Sequence, residues 1–217
     1  MIPTHESQSV AEPKKTRDTS KKREQILDAA LRVFSDAGYD TASMDRIAET
    51  AGVSKRTIYN HHPSKRDLYV SLLGRFLDKV SGAKHLRYDP NLSLENQLEQ
   101  ILRAEMVILS DPVWLGFGFT IYQFVLKEPS VGSEVAGRYS GKEKALQDWL
   151  QAACEDGRLC IDDREKAGAL LWAIHEGTIL VPAILFRAVD NDLVEYQLRE
   201  IIQMFLCRYA PDSGQEA

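Results

Sequence analysis

The sequence predicts an all-α protein of about nine helices, with a small N-terminal three-helix bundle joined to a larger helical body. Three observations carry this. Apolar residues recur at three- and four-residue spacings in one segment after another. No segment alternates apolar and polar residues as a half-buried strand does, and no internal repeat is present. Gly (13) and Pro (8) are scarce, which disfavours a turn-dense β architecture. A chain of 217 residues, 44% hydrophobic and 27% charged, buries a core without disulfides or metals to staple it.

Residues 1–21 lack apolar periodicity and read as a disordered basic arm. From Arg23 the pattern turns helical. Ile26, Ala30, Phe34 and Ala37 form a stripe that Leu27, Leu31 and Val33 widen, and Gly38 ends it at the favoured position past the helix. Ser43 caps a second helix, with Asp45 in its first turn; Met44, Ile47, Ala48 and Ala51 form its inner face and Gly52 stops it. Ser54 caps a short third helix that runs to about His61 and halts before Pro63. Ser64 caps a long fourth helix, with Leu68, Leu72, Phe76 and Val80 on one face. Gly82 and the run Asp89-Pro90-Asn91 close this part of the chain.

Further helices are expected from Leu92 to Leu109 and from Pro112, which suits the first helical position, to Lys127. Pro129 breaks the chain. A helix follows from Val131 to Ala153, then a turn at Glu155-Asp156-Gly157. Helices over Asp163–Phe186 and Asn191–Tyr209 complete the set.

Charge is divided along the chain. The net charge is −5, yet residues 1–66 hold twelve Lys/Arg against nine Asp/Glu. A basic N-terminal module is therefore attached to an acidic body. Within Lys14 to Arg23, six basic residues face one acid, Asp18. Such a run is either a solvated tail or an arm that touches DNA phosphates.

The second and third helices carry the sharpest signal. Ala48 is small, so the next helix packs close to it. Gly52 supplies the turn, and Val53 and Ile58 fill the wedge between the helices. This is the spacing of a helix-turn-helix, whose second helix enters a major groove. At about 100° per residue, Ile58 sets the inward side of the third helix. Arg56 and Asn60 then point straight out, flanked by Thr57 and Tyr59, while His62 turns inward. Arg suits bidentate contact with guanine, Asn with adenine, and a Thr methyl meets the thymine methyl. Lys55, Tyr59 and Lys65 have the chemistry for phosphates.

With these residues in view, the run Gly38-Tyr39, Ser43-Met44, Ile47-Ala48, Ala51-Gly52-Val53-Ser54, Ile58-Tyr59, Pro63-Ser64-Lys65 and Leu68 closely resembles the TetR family of bacterial regulators, over about residues 23–70. The resemblance implies a helix-turn-helix DNA-binding domain over 22–66, a ligand-binding and dimerisation domain over 67–217, and a linker helix over about 64–81. It implies a cytoplasmic homodimeric repressor on a palindromic double-stranded DNA operator, released by a small-molecule effector. Carried over by position, Ser43, Lys55, Arg56, Thr57, Tyr59, Asn60 and His61 belong to the DNA-contacting surface, and Lys65 to a phosphate contact. Two positions depart from the family pattern. Ala42 stands where Thr is common, and His62 stands where an aromatic closes the small core. The family's last two helices form the dimer interface, and Val194, Leu198, Ile201, Ile202 and Phe205 make an apolar stripe suited to it; a monomer core explains the same stripe equally well.

The aromatic residues of the helical body suit either a plain core, the ordinary place for any one of them, or an apolar ligand pocket. Trp114, Phe117 and Tyr122 lie on one predicted helix, with Met106, Trp149 and Trp172 on its neighbours. His175 and Glu176 interrupt a long apolar helix, and a buried polar pair there needs partners. An interhelix or intersubunit hydrogen bond and a polar anchor for a ligand are both open readings. No metal site is expected, because no second His follows at helical spacing and no CxxC is present. No cofactor or catalytic residue is expected either: the sequence holds no Gly-rich phosphate loop, no G-x-S-x-G and no H-E-x-x-H. Cys154, Cys160 and Cys207 cannot all pair, which suits reduced thiols in a cytosolic protein. The N-terminus shows no signal peptide. The apolar stretch Ala167–Phe186 reads as a buried core or interface helix, since His175, Glu176 and Pro182 make membrane insertion costly.

Overall fold

The computed structural model describes residues 15–80, 87–129 and 144–211. Among these residues there are nine helices and no strands. They are α1 (Lys15–Thr41), α2 (Met44–Ala51), α3 (Lys55–His61), α4 (Lys65–Val80), α5 (Leu94–Glu105), α6 (Pro112–Lys127), α7 (residues 144–155), α8 (Arg164–Phe186) and α9 (Asn191–Tyr209). The expected turn at Gly82, the helical stretch 131–143 and the first fourteen residues of the basic arm lie outside the described residues.

α1 begins at Lys15, about two turns before the Arg23 expected from apolar periodicity. Propagating an existing helix costs far less than nucleating one, and Lys and Arg are good helix formers, so a polar stretch continues the helix without an apolar face. The helical path breaks at Gly38 (φ 76°, ψ 170°), a conformation that side chains with a Cβ rarely adopt.

α2 is capped by Ser43, whose hydroxyl accepts from the Arg46 amide at 3.2 Å. Gly52 ends it in the left-handed conformation (φ 64°, ψ 31°). The Val53 amide then donates to the Ala48 carbonyl at 3.0 Å, closing a Schellman-type end that aims the chain straight into α3. Ser54 caps α3 and Ser64 caps α4, each through the amide three residues on.

Asp111 caps α6 by accepting from the Val113 amide at 3.0 Å, with Pro112 in the first turn. The chain bends by 84° there, between the end of a 3₁₀ turn at Met106–Ile108 and α6. α8 is long and apolar enough to cross a membrane by length and composition. In this fold it packs against α6 and α9 and contributes to both cores. Its middle contains a π-helical turn, Glu176–Leu180, in which the Val181 amide donates to the Glu176 carbonyl. The wider turn accommodates Pro182, which has no amide hydrogen to give the preceding turn.

Two apolar cores result. One joins α1–α4 to α6 and the end of α8, through Phe34, Ile47, Ile58, Tyr69, Phe117, Phe124 and Ile184. The other joins α5, α7, α8 and α9 around Leu98, Trp149, Leu171, Leu198 and Ile202. The boundary expected near residue 66 therefore does not separate two cores. α1 packs along α6 more extensively than along any helix of its own bundle.

Candidate nucleic-acid interface and cavity

The outward face of α3 follows from its inward anchor. Ile58 is fully buried and His62 is 2% exposed, which turns Lys55, Arg56, Tyr59 and Asn60 to solvent. Thr57 and His61 are half-buried at the flanks. The Thr57 hydroxyl lies 2.8 Å from that of Ser54. Lys55 pairs with Asp45 of α2 at 2.8 Å. Both side chains are exposed, so this pair is weak and exchanges readily for a phosphate. The Asp45 carboxylate raises the Lys55 pKa, keeping it cationic.

Lys65 departs from the expected picture. Its ammonium donates to the carbonyls of Tyr39, Asp40 and Ala42 at 2.7, 3.1 and 3.0 Å, and lies 4.5 Å from the centre of the Tyr39 ring. All three of its donors serve carbonyls at the end of α1. The side chain clasps α4 to the turn before α2.

His62 sits inside the small core, as the helical wheel requires. Burial depresses its pKa to about 4, with Arg23 and His61 adding positive charge nearby. It is therefore neutral at pH 7.

Behind the helix-turn-helix bundle, α6 presents two faces. One face grips the bundle. Phe124 packs against Tyr39 (4.5 Å between ring centres) and Tyr69 (4.4 Å), the Thr120 hydroxyl meets the Tyr69 hydroxyl at 2.9 Å, and Lys127 pairs with Asp40. Just past its end, Glu128 accepts from Arg66 at 3.1 Å. The other face, through Gly118, Ile121, Tyr122, Val125 and Leu126, lines a cavity of about 340 Å³. α4 supplies Phe76, Leu77 and Val80 to that cavity, α5 and the turn after it supply Glu105 and Ile108, and α8 supplies Glu176, Leu180, Val181 and Ile184.

Of the residues expected to bind a ligand, Tyr122 and Glu176 line this cavity. Trp114 and Phe117 instead fill the first core, where Trp114 packs beside Phe76 and Phe117 lies 5.3 Å from Tyr69. Trp149 and Trp172 are buried in the second core, and the Trp149 indole donates to Gln97 at 3.0 Å. Met106 borders a separate surface groove with Lys79 and Arg103. His175 is fully buried behind the cavity wall, with Nδ1 3.8 Å from the Glu105 carboxylate. Glu105 was not singled out from the sequence. Its helix is otherwise ordinarily amphipathic, and only the packing of α8 shows that this acid turns inward.

The stripe that suited either a dimer interface or a monomer core is spent inside the protomer. Val194, Leu198, Ile201, Ile202 and Phe205 are all buried within the protomer's second core. A different stripe of α9, Leu193, Tyr196 and Met204, stands 49%, 57% and 54% exposed, with exposed Cys207 continuing it. On α8, Leu170 is 56% exposed, and Ala173, Ile174, Gly177, Val181 and Leu185 continue its face at helical spacing. Both helices thus carry two apolar faces, one spent on the protomer core. Among the described residues, no group of three or more His, Cys, Asp or Glu side chains has metal-binding geometry.

Comparison with known proteins agrees with the fold and the motif. Residues 26–72 match the model for bacterial regulatory proteins of the tetR family, and residues 96–211 match the AefR-like transcriptional repressor C-terminal domain. The chain is 49% identical over 118 residues to the HTH-type transcriptional activator FasR of Mycolicibacterium smegmatis, an alignment covering 52% of each protein. It is 43% identical over 65 residues to the HTH-type transcriptional regulator RutR of Escherichia coli, covering 30% of this chain and 31% of that one. The chain thus spans about half or less of these curated relatives. A TetR family transcriptional regulator from Pseudomonas syringae pv. tomato superposes with a TM-score of 0.71 at 31% identity, covering 88% of this chain and 98% of that one. From the helix-turn-helix, the helical body behind it and both family matches, the chain belongs to the TetR family of bacterial regulatory proteins.

Proposed function

We propose that this protein is a cytoplasmic, sequence-specific repressor that binds a palindromic operator as a homodimer and is released by a small, largely apolar effector. The observation that carries this reading is the double role of α6: one face walls the cavity and the other grips the DNA-facing bundle. A ligand that pushes on Tyr122 or Val125 acts on the same rigid rod that holds Tyr39, Tyr69 and Asp40. The match of residues 96–211 to a repressor's C-terminal domain favours repression.

The exposed stripes of α8 and α9 support the dimer. Exposed apolar side chains on two adjacent helices suit an isologous four-helix interface. Two α3 helices held by it would have to sit about 34 Å apart to enter successive major grooves. An effector that binds better to a splayed dimer shifts the population away from that spacing. A coupling of about 1–3 kcal/mol changes operator affinity roughly 5–150-fold.

The test is selection of bound duplexes from a random DNA pool, followed by a salt titration on the winner. A two-fold palindrome with a steep salt slope is expected. No enriched sequence from folded, dimeric protein would overturn the DNA-binding reading. Enrichment without any apolar compound that releases the complex would leave a regulator controlled by abundance alone.

A further inference from the structure

Where α1, α6 and α8 meet, α6 carries a glycine. A Cβ at Gly116 would lie 2.2 Å from the Ser35 hydroxyl oxygen of α1 and 2.6 Å from Nη2 of Arg187, the residue that follows α8. The missing side chain leaves a notch that a hydroxyl from α1 and a guanidinium from the end of α8 share. Ser35 is 4% exposed and Gly116 is buried, so the notch lies inside the packing of the three helices. Gly118 seats the same stretch of α8 a second time: a Cβ there would lie 3.4 Å from the Ile184 side chain.

Arg187 adopts φ 51° and ψ 34°. It is the one non-glycine residue with positive φ among the described residues. The left-handed conformation costs an L-residue free energy, and glycine is the usual occupant of this position past a helix. Here an arginine holds it, and the conformation delivers its head to the notch. Two residues earlier, Leu185 is 45% exposed on the apolar stripe proposed to face a second copy of the chain. Two residues span at most about 7 Å, so that stripe and the anchor on α1 move together. Anchoring α1 anchors the bundle, because α1 carries Ile26, Ala30 and Phe34 into the same core as Ile47 and Ile58.

We infer that Arg187 is a positioning residue for DNA binding: its head, seated on Gly116 beside Ser35, fixes each helix-turn-helix bundle relative to the two-fold axis and so sets the half-site spacing that the dimer accepts. This rests on the reading of the protein as a homodimer on a palindromic operator. A spacing set before binding lowers the ordering cost on the matching operator and disfavours the others.

The test uses the full-length protein and the duplex selected from the random pool. Fluorescence anisotropy gives affinities for that duplex, for versions with one base pair inserted or removed at its centre, and for an isolated half-site. One base pair turns a half-site by about 35° around the duplex axis. Wild-type protein should bind the selected spacing about tenfold or more tighter than the altered ones, a penalty like that of one wrong base pair. Arg187→Gly suits the left-handed backbone and removes only the side chain. It should reduce the preference to about threefold or less, with half-site affinity and melting temperature at wild-type values. A spacing preference retained by Arg187→Gly would overturn the positioning role and leave the dimer reading intact. An equal loss on the half-site, or a lowered melting temperature, would overturn it in favour of a purely structural contact. A wild-type protein that selects no duplex, or shows no preference among spacings, would overturn the palindromic-dimer reading and this role with it.

Discussion

The hydroxyls of Tyr69 on α4 and Thr120 on α6 lie 2.9 Å apart in the core that joins the helix-turn-helix bundle to the helical body. The Thr120 hydroxyl also sits 2.8 Å from the Phe117 carbonyl and gives its single hydrogen there. The phenol must therefore be the donor between the two. Burial raises its pKa well above the ordinary tyrosine value, so it keeps that proton at any ordinary pH.

The direction of this bond makes the two deletions unequal. Thr120→Val strands a buried phenol donor and should cost about 1–3 kcal/mol in urea unfolding. Tyr69→Phe leaves Thr120 bonded to Phe117 and should cost less. The double variant should be less destabilised than the sum of the two, and strict additivity would show that the hydroxyls do not interact.

Arg56 and Asn60 are exposed on the outward side of α3. Arg56→Ala should cost about 1–3 kcal/mol on the selected operator and relax base preference at one position of each half-site. Competition binding against single-base variants measures this. An equal loss on operator and random DNA would remove Arg56 from base readout.

Lys65 spends its three donors on the carbonyls of Tyr39, Asp40 and Ala42. Lys65→Met keeps the stem and removes the charge, so those carbonyls lose their shared partner. A stability loss of about 2 kcal/mol is expected, within the range for a hydrogen bond to a charged group. Unchanged thermal unfolding would mean that the clasp is not formed in solution.

His62 gives the protein a pH dependence whose sign is fixed. Its folded pKa of about 4 lies below the unfolded value near 6.5, so the unfolded chain binds the proton first. Its neutral form is fully compatible with folding above about pH 6.5. Stability then falls as pH drops toward 4, by up to about 3 kcal/mol. His62→Phe should flatten this slope between pH 6.5 and 4.5 in urea titrations, leaving only the part due to carboxylates. A variant with the wild-type slope would assign the whole dependence elsewhere.

The proposed interface predicts opposite outcomes for two positions on one helix. Met204→Glu should shift the protein from dimer to monomer in analytical ultracentrifugation with little change in the protomer's helicity. Leu198→Ala should instead lower stability by about 2–5 kcal/mol, because it opens a cavity in the protomer core. A Met204→Glu variant that remains dimeric would place the interface on another face.

Local rules made the N-terminal part legible. Ser43, Gly52, Ser54 and Pro63 act on residues within one turn of themselves, so the limits of α2 and α3 follow from the chain alone. One inward anchor, Ile58, then orients the whole of a seven-residue helix, and with it Arg56, Asn60 and His62. The long-range features were not legible, because periodicity reports that a face is apolar and not what covers it. Leu198 and Met204 lie on the same helix and both read as apolar; only the packing of α5, α7 and α8 decides that one is core and the other surface. Trp114, Phe117, Trp149 and Trp172 suit a pocket or a core equally well in the sequence for the same reason, and packing places them in cores. Lys65 reads as a free cation until the end of α1 brings three carbonyls to it. The sequence by itself determined the limits of α2 and α3, the motif and the outward face of α3, since these rest on contacts a few residues apart. The tertiary structure alone decided the cavity, its two glutamates and the uncovered face of α8 and α9, since each depends on which of several apolar faces meet when distant helices pack.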